Sequence, residues 1–260
     1  MGKTVSQKLK AAGIENYLFE ARLIEEHARE HNLSAAGLAE RRTTREPLQY
    51  ILGEWEFYGD VYKLDGDCLI PRPETEFLTE YIINHARENA LVWDLCSGSG
   101  CVSISALKRR RDLRAVLADI SGGAVEISRE NAVLNGVGGR VEFYCLDITK
   151  DASKLRGPPD LIVSNPPYLS ESEAARLRAE SPELSHEPEA AFIGGTDGLD
   201  FYRAIIKNCA NICSEIVFEC GQNQHEKIAE LFGQYGFGCE FIRDYAKIER
   251  IVIGKKVILR

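Results

Sequence analysis

No C-x-x-C pair occurs anywhere in the chain, although cysteines stand at positions 68, 96, 101, 145, 209, 213, 220 and 239. Without paired spacing, and mostly inside apolar runs, they read as reduced, buried small hydrophobes. The histidines at 27, 31, 85, 186 and 225 lack metal-ligand spacing, so no metal is implied. Neither a secretory segment nor a long apolar span is present, which argues against a membrane partner and places the chain in a reducing cytoplasm. The opening "MGKTVS" fits a myristoylation pattern, but one fixing so few positions that chance is the better reading. Surplus positive charge is missing as well. A net charge of -8 and a pI near 5.3 argue against a general grip on the phosphate backbone of nucleic acid, while leaving room for a local basic face. There is no internal repeat, no low-complexity segment and no Lys-Ser/Thr pair of a P-loop.

What is present suffices for one large domain, or one with a smaller companion: 260 residues, 44% of them hydrophobic. From Val5 to about Gly53, Tyr17, Ala21, Ile24 and Ala28 recur at three or four residues between charged neighbours, which predicts a small helical unit. "EWEFYGDVYKLDG" (54–66) alternates and turns at Gly59-Asp60, predicting a β-hairpin. In "IPRPETEFL", prolines and then carboxylates open a helix. Beyond residue 90 the runs "LVWDL", "RAVLAD", "VEFYCLD", "DLIVSN" and "EIVFECG" alternate with helical stretches near 101–111, 121–136, 198–208 and 224–234. That alternation predicts an α/β fold, a doubly wound and mostly parallel sheet covered on both faces. The last runs, "GCEFIRD" and "RIVIGKKVIL", leave little room for a helix between them and predict an antiparallel edge.

In an open α/β sheet ligands sit beyond the carboxyl ends of the strands, and "WDLCSGSGCVSI" puts Asp94, Gly98 and Gly100 at such an end, just before a helix. A nucleotide-like ligand is expected there. The dinucleotide pattern wants a third glycine where Ser103 stands, which argues against a pyrophosphate cradle and a nicotinamide oxidoreductase. Asp119 ends the second strand, where a carboxylate accepts hydrogen bonds from both hydroxyls of a ribose, and Asp147 ends the third. Taken singly, Asp94 and Asp147 read equally well as turn or helix caps. "DLCSGSG" followed by "ADIS" resembles the cofactor half of the seven-stranded S-adenosylmethionine-dependent methyltransferases, a fold with an antiparallel strand inserted at the sheet edge. The resemblance implies that Cys96, Ser97, Gly98, Ser99 and Gly100 wrap the methionine part of S-adenosylmethionine, Asp119 holds the ribose, and Asp147 and Ile148 border the adenine.

Planar amino groups are poor nucleophiles because resonance delocalises the nitrogen lone pair. Residues 163 to 169, "VSNPPYL", answer that difficulty. Asn165 supplies a side-chain carbonyl, Pro166 a backbone carbonyl in a stiff turn, and neither Pro166 nor Pro167 has an N–H to compete for it. Tyr168 offers a flat face for a planar amide or base. Acceptors aimed at the two N–H bonds turn the lone pair toward the sulfonium methyl and stabilise positive charge as it develops.

Methyltransferases sharing this turn act on exocyclic amines of bases or on a protein glutamine amide. "EPLQYILGEWEFYG", "LIPRPETE", "NPPY", "HEPEAAFIGGTDGLDFYR", "FECGQNQ" and "RDYAKIERIVIG" resemble, in that order and over nearly the whole chain, the peptide chain release factor glutamine methyltransferases. The resemblance implies a substrate glutamine in the Gly-Gly-Gln loop of a release factor. It also implies a helical substrate-docking unit (1–53), a hairpin linker (54–72) and a methyltransferase domain (73–260), with Asn165 bordering the cofactor as well as the substrate. Cys96 stands where that family usually has a small residue, often glycine, and Ile148 where it often has an aromatic. A monomer acting on a protein, with no direct nucleic-acid contact, is the expectation. The rival readings are an amino-methyltransferase of adenine or cytosine in nucleic acid, and a non-catalytic cofactor-binding protein of the translation machinery. Leu69 is either core or acceptor-pocket wall, and Arg72 and Glu74 either build a helix start or line the site. "KRRR" (108–111) reads as a solvated helix end.

Overall fold

The computed structural model describes residues 3–150 and 152–257, so the Met1–Gly2 start of the myristoylation pattern and the end of the last apolar run lie outside the described residues. Helices α1 (Val5–Ala11), α2 (Tyr17–Glu30), α3 (Ala35–Thr43) and α4 (Leu48–Leu52) close a hydrophobic core of their own around Leu9, Ile24 and Ala39. Thr4 caps α1 in a reciprocal box with Gln7, and Ser34 caps α3. Gly53 ends α4 at φ 73°, a left-handed stop that favours glycine.

Strands β1 (Glu54–Phe57) and β2 (Asp60–Lys63) form the hairpin. Its turn is Tyr58-Gly59, one residue earlier than the sequence suggested, because both residues take positive φ (52° and 74°), as a two-residue hairpin turn requires. After a 3-10 turn at Pro73–Thr75 come α5 (Glu76–His85), β3 (Leu91–Leu95), α6 (Cys101–Arg109), β4 (Arg114–Asp119), α7 (Gly122–Leu134), β5 (Val141–Cys145) and β6 (Leu161–Ser164). Then follow α8 (Glu171–Glu180), α9 (Asp200–Cys209), β7 (Glu215–Glu219), α10 (His225–Gly233), β8 (Phe237–Arg243) and β9 (Glu249–Lys256).

The expected doubly wound sheet has strand order β5-β4-β3-β6-β7-β9-β8. All pairings from β5 to β7 are parallel, and β9 runs antiparallel to both β7 and β8, so the reversed strand lies second from the edge. Side chains alternate across the strands. Val92, Leu117, Val163 and Val217 face one buried layer with Ile104 and Leu78, while Trp93, Val116, Ile162 and Phe218 face the other with Ile205 and Phe232. Among the described residues no helix is long and apolar enough to cross a membrane. The chain leaves β3 toward β4 on one side and returns through β6 on the other, and the ends of these central strands flank the crevice where such sheets bind ligands.

Lys108 and Arg109 do not simply end α6 in solvent. Both pair with the buried Asp60 of β2, at 2.5 and 2.6 Å, and the Arg109 guanidinium lies over the Tyr58 ring at 4.5 Å, which ties the hairpin to the sheet layer.

Candidate active site

The loop after β3 is built from backbone that turns the wrong way for most residues. Cys96, Gly98 and Gly100 have φ of 58°, 52° and 77°. The two glycines do different things. A β-carbon on Gly100 would press at 2.8 Å on both Ile104 and Leu117, so this glycine lets α6 pack on β4, and it does not line the cavity. A β-carbon on Gly98 would meet nothing within 4 Å, because that backbone faces open space. Asp119 holds the loop from the end of β4: its Oδ2 accepts from the Gly98 N–H (2.8 Å) and its Oδ1 from the Ser121 N–H (2.9 Å). Burial raises this carboxyl, and the same backbone N–H groups offset the rise.

Around that loop runs a cavity lined by Cys96, Ser97, Gly98 and Ser99, by Asp119 and Ile120, and by Asp147 and Ile148. The flanking acids cap local structure and also line the cavity. Asp94 lines the cavity and also accepts from the Ser103 N–H in the first turn of α6 (3.2 Å); burial pushes its carboxyl up to about 7. Asp147 lines the cavity while capping its own turn through Thr149 and pairing with Lys150, which hold its carboxyl below the usual range. The donor set suits a cationic, nucleoside-bearing ligand: Asp119 and Asp147 are acceptors, Leu146 and Ile148 an apolar border, and Ser97 Oγ is a buried polar atom with no partner among the described residues.

At the end of β6 the Asn-Pro-Pro-Tyr turn separates two recesses. Asn165, Leu69, Arg72 and Ala191 line both the cavity and a second, neighbouring recess walled by Tyr168, Leu177 and Phe192. Leu69 is therefore wall. Pro167 lines the cavity, Tyr168 the second recess, and Pro166 is buried and lines neither. Asn165 donates from Nδ2 to Thr75 Oγ1 at 3.2 Å, which leaves its carbonyl oxygen as the free end.

The turn is clamped by segments to which sequence reasoning gave no role. Leu169 donates to the Phe192 carbonyl and accepts from the Gly194 N–H, both at 2.8 Å. A β-carbon on Gly194 would lie 2.5 Å from the Pro167 carbonyl oxygen, and one on Gly198 would strike the Tyr168 carbonyl. Gln224 donates from Nε2 to that same carbonyl (2.8 Å) and accepts from the Gly221 N–H (2.9 Å). On the other side Glu187, buried, accepts from the Ile70 N–H (3.1 Å) and pairs with Arg72 (2.6 Å). Arg72 is thus both anchored and cavity-lining, while Glu74 belongs to the turn that opens α5. The glycines of "GGTDG" were the available signal, since glycine marks close approach of another backbone.

Comparison with known proteins gives consistent results. Residues 73–181 match the family model described as "Methyltransferase small domain". The chain is 37% identical over 224 residues to the release factor glutamine methyltransferase of Geobacter sulfurreducens, covering 84% of this chain and 76% of that one. It is 35% identical over 257 residues to the protein of the same name from Thermodesulfovibrio yellowstonii, covering 95% and 88%. Among solved structures, a methyltransferase from Pyrococcus furiosus is similar with a TM-score of 0.58 and 15% identity, over 78% of this chain and 91% of that one. Precorrin-6y C5,15-methyltransferase from Geobacter metallireducens is similar at 0.52 and 13%, over 75% and 94%. These two likenesses concern the fold.

Proposed function

The chain belongs to the release factor glutamine methyltransferases, and from that premise we propose how its residues carry methyl transfer to a protein glutamine. S-Adenosylmethionine, when bound, supplies an electrophilic methyl group on a sulfonium. Cys96, Ser97, Gly98 and Ser99 take its methionine part, with Gly100 shaping the loop, Asp119 takes the ribose, and Asp147 and Ile148 border the adenine. Asn165 closes that pocket on the side of the reaction.

The acceptor is the side-chain amide of the glutamine in the Gly-Gly-Gln loop of a release factor. Asn165 Oδ1 accepts from one of its N–H bonds, Tyr168 packs on its plane, Pro167 and Leu69 wall the approach, and Pro166, which lines neither recess, acts by stiffening the turn rather than through the carbonyl expected from the sequence. Orientation of this kind is worth on the order of 7–11 kcal/mol of barrier. No dedicated base is needed, because the alkylated nitrogen is acidic and loses its proton after the methyl has arrived. The observation that carries the reading is the position of Asn165, which lines both recesses with its carbonyl end free.

Helices α1–α4 (1–53) dock the protein substrate, 54–72 link, and 73–260 carry the reaction. Leu18 and Phe19 on α2 are 66% and 59% exposed, and a third recess runs from Phe19 and Leu48 to Arg72, which also lines the other two. The test is incubation with labelled S-adenosylmethionine and a purified release factor, with its loop glutamine intact or changed to alanine. Label confined to the intact factor is expected; label that persists in the alanine form overturns the assignment.

A further inference from the structure

A ligand that carries both signs of charge on one short chain needs both answered where it binds. S-Adenosylmethionine is such a ligand: an ammonium and a carboxylate share one carbon of its methionine part, close to the positive sulfonium. The cavity answers the positive groups amply, since Asp67, Asp94, Asp119 and Asp147 all line it. For the carboxylate the same wall is repulsive. Among the described residues lining the cavity, Arg72 is the only cationic side chain.

Arg72 is held with more care than a surface arginine needs. Pro71 and Pro73 stiffen the chain on either side, and its own backbone is extended (φ -101°, ψ 147°), as a residue before proline prefers. Its Nη2 donates to Glu187 Oε1 at 2.6 Å, and Glu187 Oε2 is fixed in turn by the Ile70 N–H at 3.1 Å. The Glu187 side chain is 2% exposed, that of Arg72 34%. A guanidinium offers five N–H donors in a planar fork. Glu187 is its one hydrogen-bond partner among the described residues, so donors remain where the cavity meets the acceptor recess.

We infer that Arg72 is a cofactor-binding residue: its guanidinium receives the carboxylate of the methionine part of S-adenosylmethionine, and Glu187 is the positioning residue that holds it there. The inference rests on the reading of this cavity as the S-adenosylmethionine site. Arg72 and Asn165 line the same two recesses, so a carboxylate held at Arg72 anchors the methionine chain at the end of the cavity that opens toward the acceptor. An uncharged substrate amide is served by any donor. A carboxylate inside an acidic wall needs a cation, and a charge-assisted pair with arginine is the strong form of that contact.

The test compares S-adenosylmethionine with its decarboxylated form, which keeps the adenosine, the sulfonium and the amine and lacks only the carboxylate. Calorimetry of each on the full chain, without release factor, gives the two affinities. The wild type should bind S-adenosylmethionine about tenfold or more tightly than the decarboxylated form, although the acidic wall by itself favours the more positive ligand. Arg72→Gln should abolish that preference, losing about tenfold or more on S-adenosylmethionine while the decarboxylated form changes within about threefold. Arg72→Lys, which keeps a charge for Glu187, should retain part of it. A variant that folds poorly weakens both ligands together, and the wild-type comparison then decides. Equal binding of the two ligands by the wild type, or an unchanged preference in Arg72→Gln, overturns the assignment and leaves the cavity as the cofactor site. So does an Arg72→Gln protein whose only change is a higher KM for the release factor, which would give the residue to the protein substrate. A wild type that binds neither ligand removes the reading of the cavity as well.

Discussion

Cys96 carries a β-carbon at φ 58°, in the left-handed region where that atom crowds the backbone and glycine does not. The family resemblance implied a small residue, often glycine, at this position, and the backbone takes a conformation that glycine adopts without strain. Cys96→Gly should be more stable than Cys96→Ala by about 1 kcal/mol, since both lose the thiol but only glycine loses the strain. Denaturant midpoints of the two variants check this, and an alanine form as stable as the glycine form would contradict it. Glu219 shows the opposite balance. Its folded-state carboxyl, near 7, lies above the ordinary glutamate value of 4.5, so the folded chain holds the proton more tightly than the unfolded one. That contribution to stability is full below about 4.5 and is lost as pH rises to about 7. Glu219→Gln should therefore gain on the wild type between pH 4 and pH 8, by on the order of 3 kcal/mol. Thermal unfolding at both pH values would show it, and a constant difference would refute it. Asn165 and Asp119 were legible because each ends an apolar run. Thr75 was not, because its bond to the Asn165 amide joins the turn before α5 to the end of β6, a contact that only the folded sheet creates.

Among the elements, the Asn-Pro-Pro-Tyr turn is the one whose rigidity matters most, and its prolines are only part of the cause. The 192–198 strap presses on it through Gly194 and Gly198, and Gln224 holds the Tyr168 carbonyl from the far side. Gly194 is not at positive φ, so Gly194→Ala is a test of space alone. Its methyl group must push the Pro167 carbonyl away, and a displacement on that scale at an orienting turn should cost about tenfold to a hundredfold in kcat. Cofactor affinity should change far less; comparable losses in both would place the strap's influence on the cofactor loop. The elements around the turn were unevenly readable. Apart from α8, the strands and helices from residue 91 onward fall where apolar runs and periodicity put them. Helix α8 was overlooked although Ser170 and Glu173 form a capping box, because its polar sequence buries only Ala174 and leaves no apolar stripe to detect.

At the scale of the whole molecule, the parallel sheet brings its central strand ends to one crevice, and the segment between β6 and α9 joins that crevice to the N-terminal helices. Glu183 accepts from Arg42 (3.2 Å) and Arg45 (3.3 Å), and Arg42 is also paired with Glu20 at 2.6 Å. His186 meets the Thr44 carbonyl at 3.2 Å, one residue before the Glu187 that holds Arg72. The helices that we propose receive the protein substrate are thus tied to the residues beside Asn165. Alternation of runs along the chain made the layered sheet readable. These ties were not, since they span more than 130 residues and depend on charges that on their own look like a solvated surface. The central claim is that this surface delivers a release-factor glutamine to Asn165, and tandem mass spectrometry of the release factor after reaction with S-adenosylmethionine tests it most directly. The account predicts one methyl group on the side-chain nitrogen of the loop glutamine, and its near-complete loss in Asn165→Ala while calorimetry shows cofactor binding largely kept. A methyl group on any other residue, or the same modification at the wild-type rate in Asn165→Ala, would contradict it.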